Sequence, residues 1–210
     1  TRCQSMLQHG LFVADFAYFT GEDPGVYTEM LPIDLHPEPL AGYDYDLIDA
    51  EMLSRNAKIV NGRMVLPDGM SYRVLVLQDR QQISLELLRT IKSFLEQGLI
   101  VIGQKPVDAP GLRSQRPENI AEFKTLVDGM WGTTELTDRS IGMGRLFWGQ
   151  PLTEILPSIG LPPDCTITSQ SGDVPIHYIH RQAEDGDYYF LSNQRRTDED
   201  LVVSFRIKDK

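Results

Sequence analysis

Apolar runs alternate with helical patterns along most of the chain. Residues 11–19, LFVADFAYF, are a nearly continuous run of strand-forming residues that only Asp15 interrupts. Residues 72–79, YRVLVLQD, and residues 99–103, LIVIG, are two further runs of this kind. Runs without polar alternation are typical of strands that are covered on both faces, as in a parallel sheet.

Helical spacing of apolar residues follows two of these strands and recurs later in the chain. Residues 84–98 predict the clearest helix, with Ser84 as its N-cap and Gly98 as its C-terminal cap. Its apolar stripe consists of Leu87, Leu88, Ile91, Phe94 and Leu95. Residues 117–131 and 151–160 predict two more helices of the same amphipathic type.

The alternation of strands and single helices predicts a fold class. Such units form right-handed parallel crossovers, so we expect residues 11–172 to form a doubly wound, mainly parallel α/β sheet of the flavodoxin-like type. Residues 173–210 instead contain three strand patterns joined by polar turns, which predicts a short antiparallel β segment. This segment is either an appendix to the sheet or the start of a β-sandwich. Residues 1–10 predict the end of a helix, so we expect the chain to be cut from a larger protein.

Residues 41–53, AGYDYDLIDAEML, combine a strand pattern with a high density of carboxylates. Alternation of Asp44 and Asp46 with apolar neighbours has the period of two that is typical of a strand. Asp49 then precedes a short helix-forming run, where a carboxylate can accept backbone N–H groups. Downstream, Asn61-Gly62 between two apolar stretches predicts a hairpin with a two-residue turn.

Composition excludes several classes of function. The 210 residues include 30 acidic and 20 basic ones, a formal charge of -10, which argues against a nucleic-acid surface. No apolar run approaches the roughly 18 residues of a membrane span, so no membrane partner is predicted. Cys3 and Cys165 form no CxxC pair, and we predict no metal site and no cofactor.

Polar residues are predicted at the carboxyl ends of the parallel strands, where open α/β sheets bind ligands. An acidic pocket there could receive a sugar or a divalent ion. Asp is also common in such loops because it caps helices and forms turns, and we favour this structural interpretation. The candidate cleft or interface residues are Glu22, Asp23, Asp46, Asp49, Asp79 and Lys105.

Catalytic motifs are missing from the sequence. Glycosidic hydrolysis uses two carboxyl groups about 5 to 9.5 Å apart across a cleft, whereas Asp44 and Asp46 are expected to point the same way from one strand. Neither GxSxG nor a cysteine elbow occurs, and the phosphate-binding motifs GxxxxGK[ST] and GxGxxG are absent. His177 and His180 are expected on opposite faces of one strand, which does not suit a shared metal. We therefore predict no catalytic residue in this chain.

A series of short sequence blocks resembles one enzyme family. In order, they are RCQSMLQHG, VADFAYFTGED, GYDYDLIDAEML, GRMVLPDGMSYRVLVL, IHYIHR, DYYFLSN and SFRI. Together they resemble the bacterial α-L-rhamnosidases of glycoside hydrolase family 106 over almost the whole chain.

This resemblance implies a position within a larger enzyme. In that family a catalytic barrel comes first, followed by an α/β domain like that of class I glutamine amidotransferases and then by β-sandwich domains. Residues 11–172 would be the amidotransferase-like domain, and residues 173–210 the first strands of the next module. The family's catalytic glutamates and calcium site would belong to the barrel, so the resemblance assigns no such residue here.

The leading functional prediction is therefore a non-catalytic accessory domain of an α-L-rhamnosidase-like glycoside hydrolase. Its partners would be the β-sandwich domains and the catalytic barrel, and residues 20–42 would line one side of the barrel's cleft. The alternatives are a stand-alone binder that uses Asp46, Asp79 and Lys105, or a module for homo-oligomerisation. The resemblance implies a secreted or periplasmic bacterial parent, while the residues themselves do not indicate a compartment.

Overall fold

The largest element of the structure is a six-stranded sheet. The computed structural model describes residues 2–22, 32–79, 81–111, 116–132, 137–169, 172 and 174–207. The six strands are β2 (Phe16–Phe19), β3 (Tyr45–Ile48), β7 (Val74–Val76), β8 (Ile100–Ile102), β9 (Asp138–Ile141) and β10 (Gly144–Phe147). Their order is β3-β2-β7-β8-β10-β9. Neighbouring strands are parallel except β9 and β10, which are antiparallel.

The sheet separates two hydrophobic cores because successive side chains of a strand point to opposite faces. In β2, Phe16 and Tyr18 belong to one core, and Ala17 and Phe19 belong to the other. All four are fully buried, which explains why this strand shows no polar alternation.

Helices cover the two faces unequally. On the face of Ala17 lie α2 (Leu85–Glu96) and α3 (Pro117–Trp131), and on the face of Phe16 lies α4 (Leu152–Ser158), with only seven residues. The predicted N-cap of α2 is confirmed, since the Ser84 side chain accepts a hydrogen bond from the Leu87 N–H at 3.2 Å.

A close contact between the sheet and α3 explains why residue 103 is a glycine. Gly103 follows β8, and its carbonyl accepts a hydrogen bond from the buried Trp131 indole at 3.0 Å. A Cβ atom at residue 103 would lie 2.6 Å from Cβ of Leu77, which is closer than two carbon atoms can approach. Glycine is therefore needed where α3 is anchored to the sheet.

Three smaller antiparallel sheets surround this core. The first contains β4 (Lys58–Val60), β5 (Arg63–Val65) and β6 (Ser71–Tyr72), and the second contains β1 (Leu11–Phe12), β12 (Ile176–Ala183) and β13 (Gly186–Asn193). The third pairs β11 (Cys165–Ser169) with β14 (Leu201–Phe205). The predicted Asn61-Gly62 hairpin is confirmed, because Val60 pairs with Arg63 and both turn residues have positive φ angles. At the N-terminus lies α1 (Arg2–Gln8).

The predicted fold class is wrong. A doubly wound parallel sheet, whether flavodoxin-like or amidotransferase-like, has long helices between its strands on both faces. The described residues instead form fourteen strands and four α-helices, three of the four sheets are antiparallel throughout, and the largest is mixed.

The physical reason lies in the connections between the parallel strands. The chain between β3 and β7 contains a single turn of π-helix (Met52–Asn56) and the whole β4-β5-β6 sheet where the prediction required a crossover helix. In addition, Gly142 adopts a φ angle of 59° and turns the chain so that β9 pairs back onto β10. Strand periodicity indicated burial correctly but carries no information on strand direction.

The domain boundaries at residues 10 and 172 stay predictions. Strands from the predicted C-terminal segment pair with earlier ones: β12 with β1, and β14 with β11.

Candidate functional site

Glu22, the first predicted site residue, supports the start of a helix. Its Oε2 accepts a hydrogen bond from the backbone N–H of Ser84 at 2.6 Å, and Ser84 is the N-cap of α2. A carboxylate near a helix N-terminus is stabilised by the exposed N–H groups and the helix dipole. Its neighbour Asp23 lies outside the described residues.

Asp46 and Asp49 also have local partners. Asp46 accepts hydrogen bonds from the Leu47 N–H at 2.9 Å and from the Tyr72 hydroxyl at 2.9 Å. Burial, followed by the charge of Asp46, raises the pKa of Tyr72, so this hydroxyl stays protonated and donates. Asp49 accepts the Met52 N–H at 2.7 Å, which is the helix-capping contact predicted for it.

Lys105, on the segment after β8, contacts the C-terminal end of α3 and not the other predicted site residues. Its Nζ donates to Asp128 Oδ1 at 2.8 Å and to the Gly132 carbonyl at 2.9 Å, at the C-terminal end of α3. This hydrogen bond to Lys105 lowers the pKa of Asp128. A cation at a helix C-terminus also interacts favourably with the dipole.

The structure brings two of the predicted site residues together. Glu22 and the exposed Asp79 line a cavity of about 350 Å³, whereas Lys105 lines a separate cavity of about 470 Å³ beside α3. Asp46 and Asp49 are among the lining residues of neither cavity. The assignment of these residues to a cleft or interface stays a prediction.

The opposite edge of the sheet contains a buried polar network that the sequence analysis missed. Asp15, immediately before β2, is 2% exposed, and Asp164, immediately before β11, is 2% exposed. Arg206 Nη2 donates to Asp15 Oδ2 at 2.8 Å and lies 3.4 Å from Asp164 Oδ1. The guanidinium therefore compensates two buried carboxylates that are about 150 positions apart in the sequence.

His180 extends this network by contacting two carboxyl groups. Its Nδ1 lies 2.9 Å from Asp164 Oδ2, and its Nε2 lies 3.1 Å from Asp187 Oδ1. When both carboxylates are ionised they can only accept hydrogen bonds, so both ring nitrogens then carry a hydrogen and the ring is an imidazolium. Burial lowers the pKa of His180, but the hydrogen bonds and charges of Asp164 and Asp187 outweigh it and raise the pKa above its ordinary value.

Tyr189 closes the network. It donates its hydroxyl to Asp164 Oδ1 at 3.0 Å, and its ring stacks on the His180 ring with 4.0 Å between centroids.

Burial raises the pKa of Asp15, although the nearby Arg206 opposes this effect. The sequence held one signal for this cluster: Asp15 is a lone acid inside an apolar run, and such an acid must be paired when buried.

Next to this network lies an open groove with a carboxyl group. The groove has a volume of about 410 Å³ and lies between the residues that precede β3 and strands β11 and β12. We call it the aromatic groove; its defining residues are Tyr43, Asp44, Tyr45, Thr166, His177 and Tyr178. Burial raises the pKa of Asp44 to about 6, and the carboxylates of Asp164, Asp46 and Asp15 contribute.

The chemistry available within the described residues is limited. No group of three or more His, Cys, Asp or Glu side chains that could hold a metal ion occurs within those parts of the chain. Burial, followed by the nearby charge of Asp164, raises the pKa of the Cys165 thiol to about 11, so this thiol is not a nucleophile at neutral pH. None of the described helices is both long and apolar enough to cross a membrane.

Comparison with known proteins identifies the family. The model of the alpha-L-rhamnosidase family, glycoside hydrolase family 106, matches residues 1–210. A protein of Formosa agariphila named "Putative beta-glucuronidase" is 35% identical over the whole chain, which covers 16% of that protein. The structure of a rhamnosidase from Novosphingobium sp. PP1Y matches with a TM-score of 0.84 and 27% identity, over 98% of this chain and 19% of the rhamnosidase. The chain thus spans less than a fifth of each relative, and it belongs to the alpha-L-rhamnosidase family, glycoside hydrolase family 106.

Proposed function

We propose that this chain is a non-catalytic accessory domain of an α-L-rhamnosidase-like glycoside hydrolase. The observation that supports the proposal is that the predicted site carboxylates already have local hydrogen-bond partners. Glu22, Asp46 and Asp49 each accept hydrogen bonds from the backbone or a tyrosine. Glu22 and Asp49 support the start of a helix, and Asp46 links β3 to Tyr72 of β6. Such contacts are structural, because they engage the oxygens that an acid–base catalyst would direct at a substrate.

The buried network offers no catalytic pair either. A glycosidase needs two carboxyl groups about 5 to 9.5 Å apart on either side of a bound sugar. Asp15 and Asp164 are paired with Arg206 and His180 and are almost fully enclosed, so a sugar ring has no access to them. Asp44 faces the aromatic groove without an identified carboxyl partner across it among the described lining residues.

The extent of the matches supports a role beside other domains. Both relatives are more than five times as long as the region they share with this chain. In this proposal, the catalytic groups belong to a barrel elsewhere in the parent protein, and this chain packs against that barrel and a β-sandwich domain. Asp46, Asp79 and Lys105 do not line a common cavity, so we do not propose the stand-alone binder that uses these residues.

Hydrolysis assays test this function directly. The purified 210-residue chain and a longer parent protein that includes the upstream region are assayed with an aryl α-L-rhamnoside and an aryl β-D-glucuronide. We expect hydrolysis by the parent only. Turnover by the 210-residue chain that is lost in its Asp44→Asn variant would overturn the accessory role, and Asp49→Asn is the matched control on the same segment.

A further inference from the structure

The aromatic groove contains hydrogen-bonding capacity that the described protein does not use. Asp44 Oδ1 accepts the Tyr45 N–H at 3.0 Å, and no other described group donates to this carboxylate. The Tyr178 hydroxyl is buried and has no hydrogen-bond partner among the described residues. Buried polar groups in folded proteins are nearly always paired, so the unpaired Tyr178 hydroxyl marks an incomplete polar network beside the groove. The acceptor that a ligand in the groove can reach is the second oxygen of the half-buried Asp44.

Two tyrosine rings that line the groove are held in place by contacts with the rest of the protein. Tyr43 donates its hydroxyl to the Leu161 carbonyl at 2.8 Å and contacts Phe16 edge to face. Tyr45 contacts Tyr18 in the same geometry, with 5.6 Å between ring centroids. Side chains that are already fixed lose little entropy when a ligand binds. Apolar walls with a few polar groups are typical of small-molecule sites, and about 410 Å³ lies within their usual range.

Charge narrows the class of ligand. The carboxylates of Asp164, Asp46 and Asp15 act on Asp44, and no Lys or Arg occurs among the described lining residues, so an anion would be repelled. A hard cation such as Ca²⁺ needs six to eight oxygen ligands, whereas the groove offers one carboxylate. A neutral molecule that has apolar faces and also donates and accepts hydrogen bonds matches both the rings and the carboxyl group of the groove.

We propose that the aromatic groove is a binding subsite for a neutral saccharide, with Asp44 as its hydrogen-bonding anchor. Sugar hydroxyls would donate to the free oxygen of Asp44, and the C–H face of the ring would pack on Tyr45 and the exposed His177. The choice of a saccharide rests on the proposed function in a glycoside hydrolase. The proposed step is binding, without any bond cleavage.

Backbone NMR titration of the 210-residue chain tests the subsite. The probes are L-rhamnose and methyl α-L-rhamnoside, with D-glucuronate as an anionic sugar and Ca²⁺ as a cation. We expect saturable shifts of the amides around Tyr45, Thr166 and His177 with the neutral sugars, and binding at least several-fold weaker with glucuronate. Absence of saturable shifts at the groove, or preferential binding of glucuronate or Ca²⁺, would overturn the proposal.

Substitutions on two strands provide matched controls. Asp44→Ala should weaken binding by about tenfold or more, since it removes hydrogen bonds to a charged group. His177→Ala should weaken it by roughly threefold through lost packing. Both His177 and Ile179 are exposed on β12, and Thr166 and Thr168 are exposed on β11, but only His177 and Thr166 line the groove. Ile179→Ala and Thr168→Ala should therefore leave the affinity unchanged.

The outcomes separate this inference from the proposed function. Sugar binding without hydrolysis by the chain supports both. Sugar binding with hydrolysis overturns the accessory role and leaves the subsite standing. If neither is observed, or if His177→Ala binds the neutral sugar as tightly as Ile179→Ala does, the subsite is wrong while the accessory role stands.

Discussion

Acidic side chains occupy both edges of the six-stranded sheet, but their burial and their hydrogen-bond partners differ between the two edges. At the carboxyl edge, Glu22 and Asp49 are solvent-accessible and accept hydrogen bonds from backbone N–H groups of helix or turn starts. At the amino edge, Asp15 and Asp164 are buried and paired with cations from distant parts of the chain. At the carboxyl edge, aspartate and glutamate thus cap helix or turn starts and can be replaced at a small cost in stability. At the amino edge, aspartate is part of an enclosed charge network.

The contrast between exposed and buried carboxylates indicates where the stability of the molecule is concentrated. An exposed carboxylate that loses its partner is rehydrated, so the loss is small. A buried carboxylate that loses its partner cannot be rehydrated, and the cost of desolvating its charge remains. Arg206 on the segment after β14 contacts Asp15 before β2, so the network also joins the two ends of the described chain.

The largest expected effect comes from removing Arg206, the half-buried cation that pairs with the buried carboxylates. Arg206→Met leaves Asp15 and Asp164 with reduced compensation, and we expect it to lower the free energy of unfolding by about 3 kcal/mol. Urea denaturation at pH 7 measures this change. The control is Arg55→Met, which breaks an exposed ion pair with Glu51 and should change stability by less than about 0.5 kcal/mol. Equal effects of the two variants would contradict the claim that buried carboxylates depend on their partners more than exposed ones do.

His180 should make stability depend on pH. Its pKa is raised in the folded state, so its contribution is complete below the ordinary value of 6.5 and is lost as pH rises through the higher folded pKa. His180→Gln should cost about 2 kcal/mol at pH 6 and remove the part of the decline that lies above pH 6.5. Denaturation curves between pH 5 and 8 test this, with the exposed His177→Gln as control. A wild-type stability that rises across this range would refute the imidazolium assignment.

Asp44 is intermediate between the two kinds of carboxylate, because it is a half-buried acid with one hydrogen bond and no paired cation. Burial first, and then the neighbouring carboxylates, raise its pKa from 3.8 to about 6, so ionisation destabilises the fold as pH rises between these values. Asp44→Asn keeps an acceptor for the Tyr45 N–H and should stabilise the protein by about 1 to 2 kcal/mol at pH 7.5. At pH 4 the two proteins should unfold at nearly the same urea concentration. A destabilised variant at pH 7.5 would show that the charge is compensated.

The smallest effects are expected at the carboxyl edge. Asp49→Ala removes the 2.7 Å hydrogen bond to the Met52 N–H and should cost about 1 kcal/mol, the usual value for a lost cap. Asp79→Ala should lie within about 0.5 kcal/mol of the wild type, because this side chain is exposed. Thermal unfolding of both variants measures the difference. A larger loss for Asp79→Ala than for Arg206→Met would reverse the order of the two edges.

Several features of the fold could be predicted from the sequence, because they depend on residues that are close together along the chain. The N-cap Ser84, the Asn61-Gly62 hairpin and the contact from Asp49 to the Met52 N–H each involve at most a few neighbouring positions. The resemblance to the rhamnosidase family was likewise carried by short blocks in order, and the family match over residues 1–210 confirms it.

The predicted fold class failed where the direction of strands mattered. An apolar run indicates that layers cover both faces of a strand, and this cover does not depend on the direction of the neighbouring strand. Strand β10 pairs in parallel with β8 and in antiparallel with β9, although no local pattern distinguishes its two edges. The candidate residues at the carboxyl edge depended on the doubly wound fold, and their role in a cleft stays a prediction.

By itself, the sequence determined which segments are buried, where α2 begins, where the first hairpin turns and to which family the chain belongs. The tertiary structure alone decided the mixed sheet, the pairing of Asp15 with Arg206 across 191 positions and the aromatic groove beside Asp44. The physical reason is that local preferences arise from sterics and hydrogen bonds within a few residues. A buried charge, by contrast, is stabilised by whichever distant groups the folded chain brings within about 3 Å, the length of a hydrogen bond.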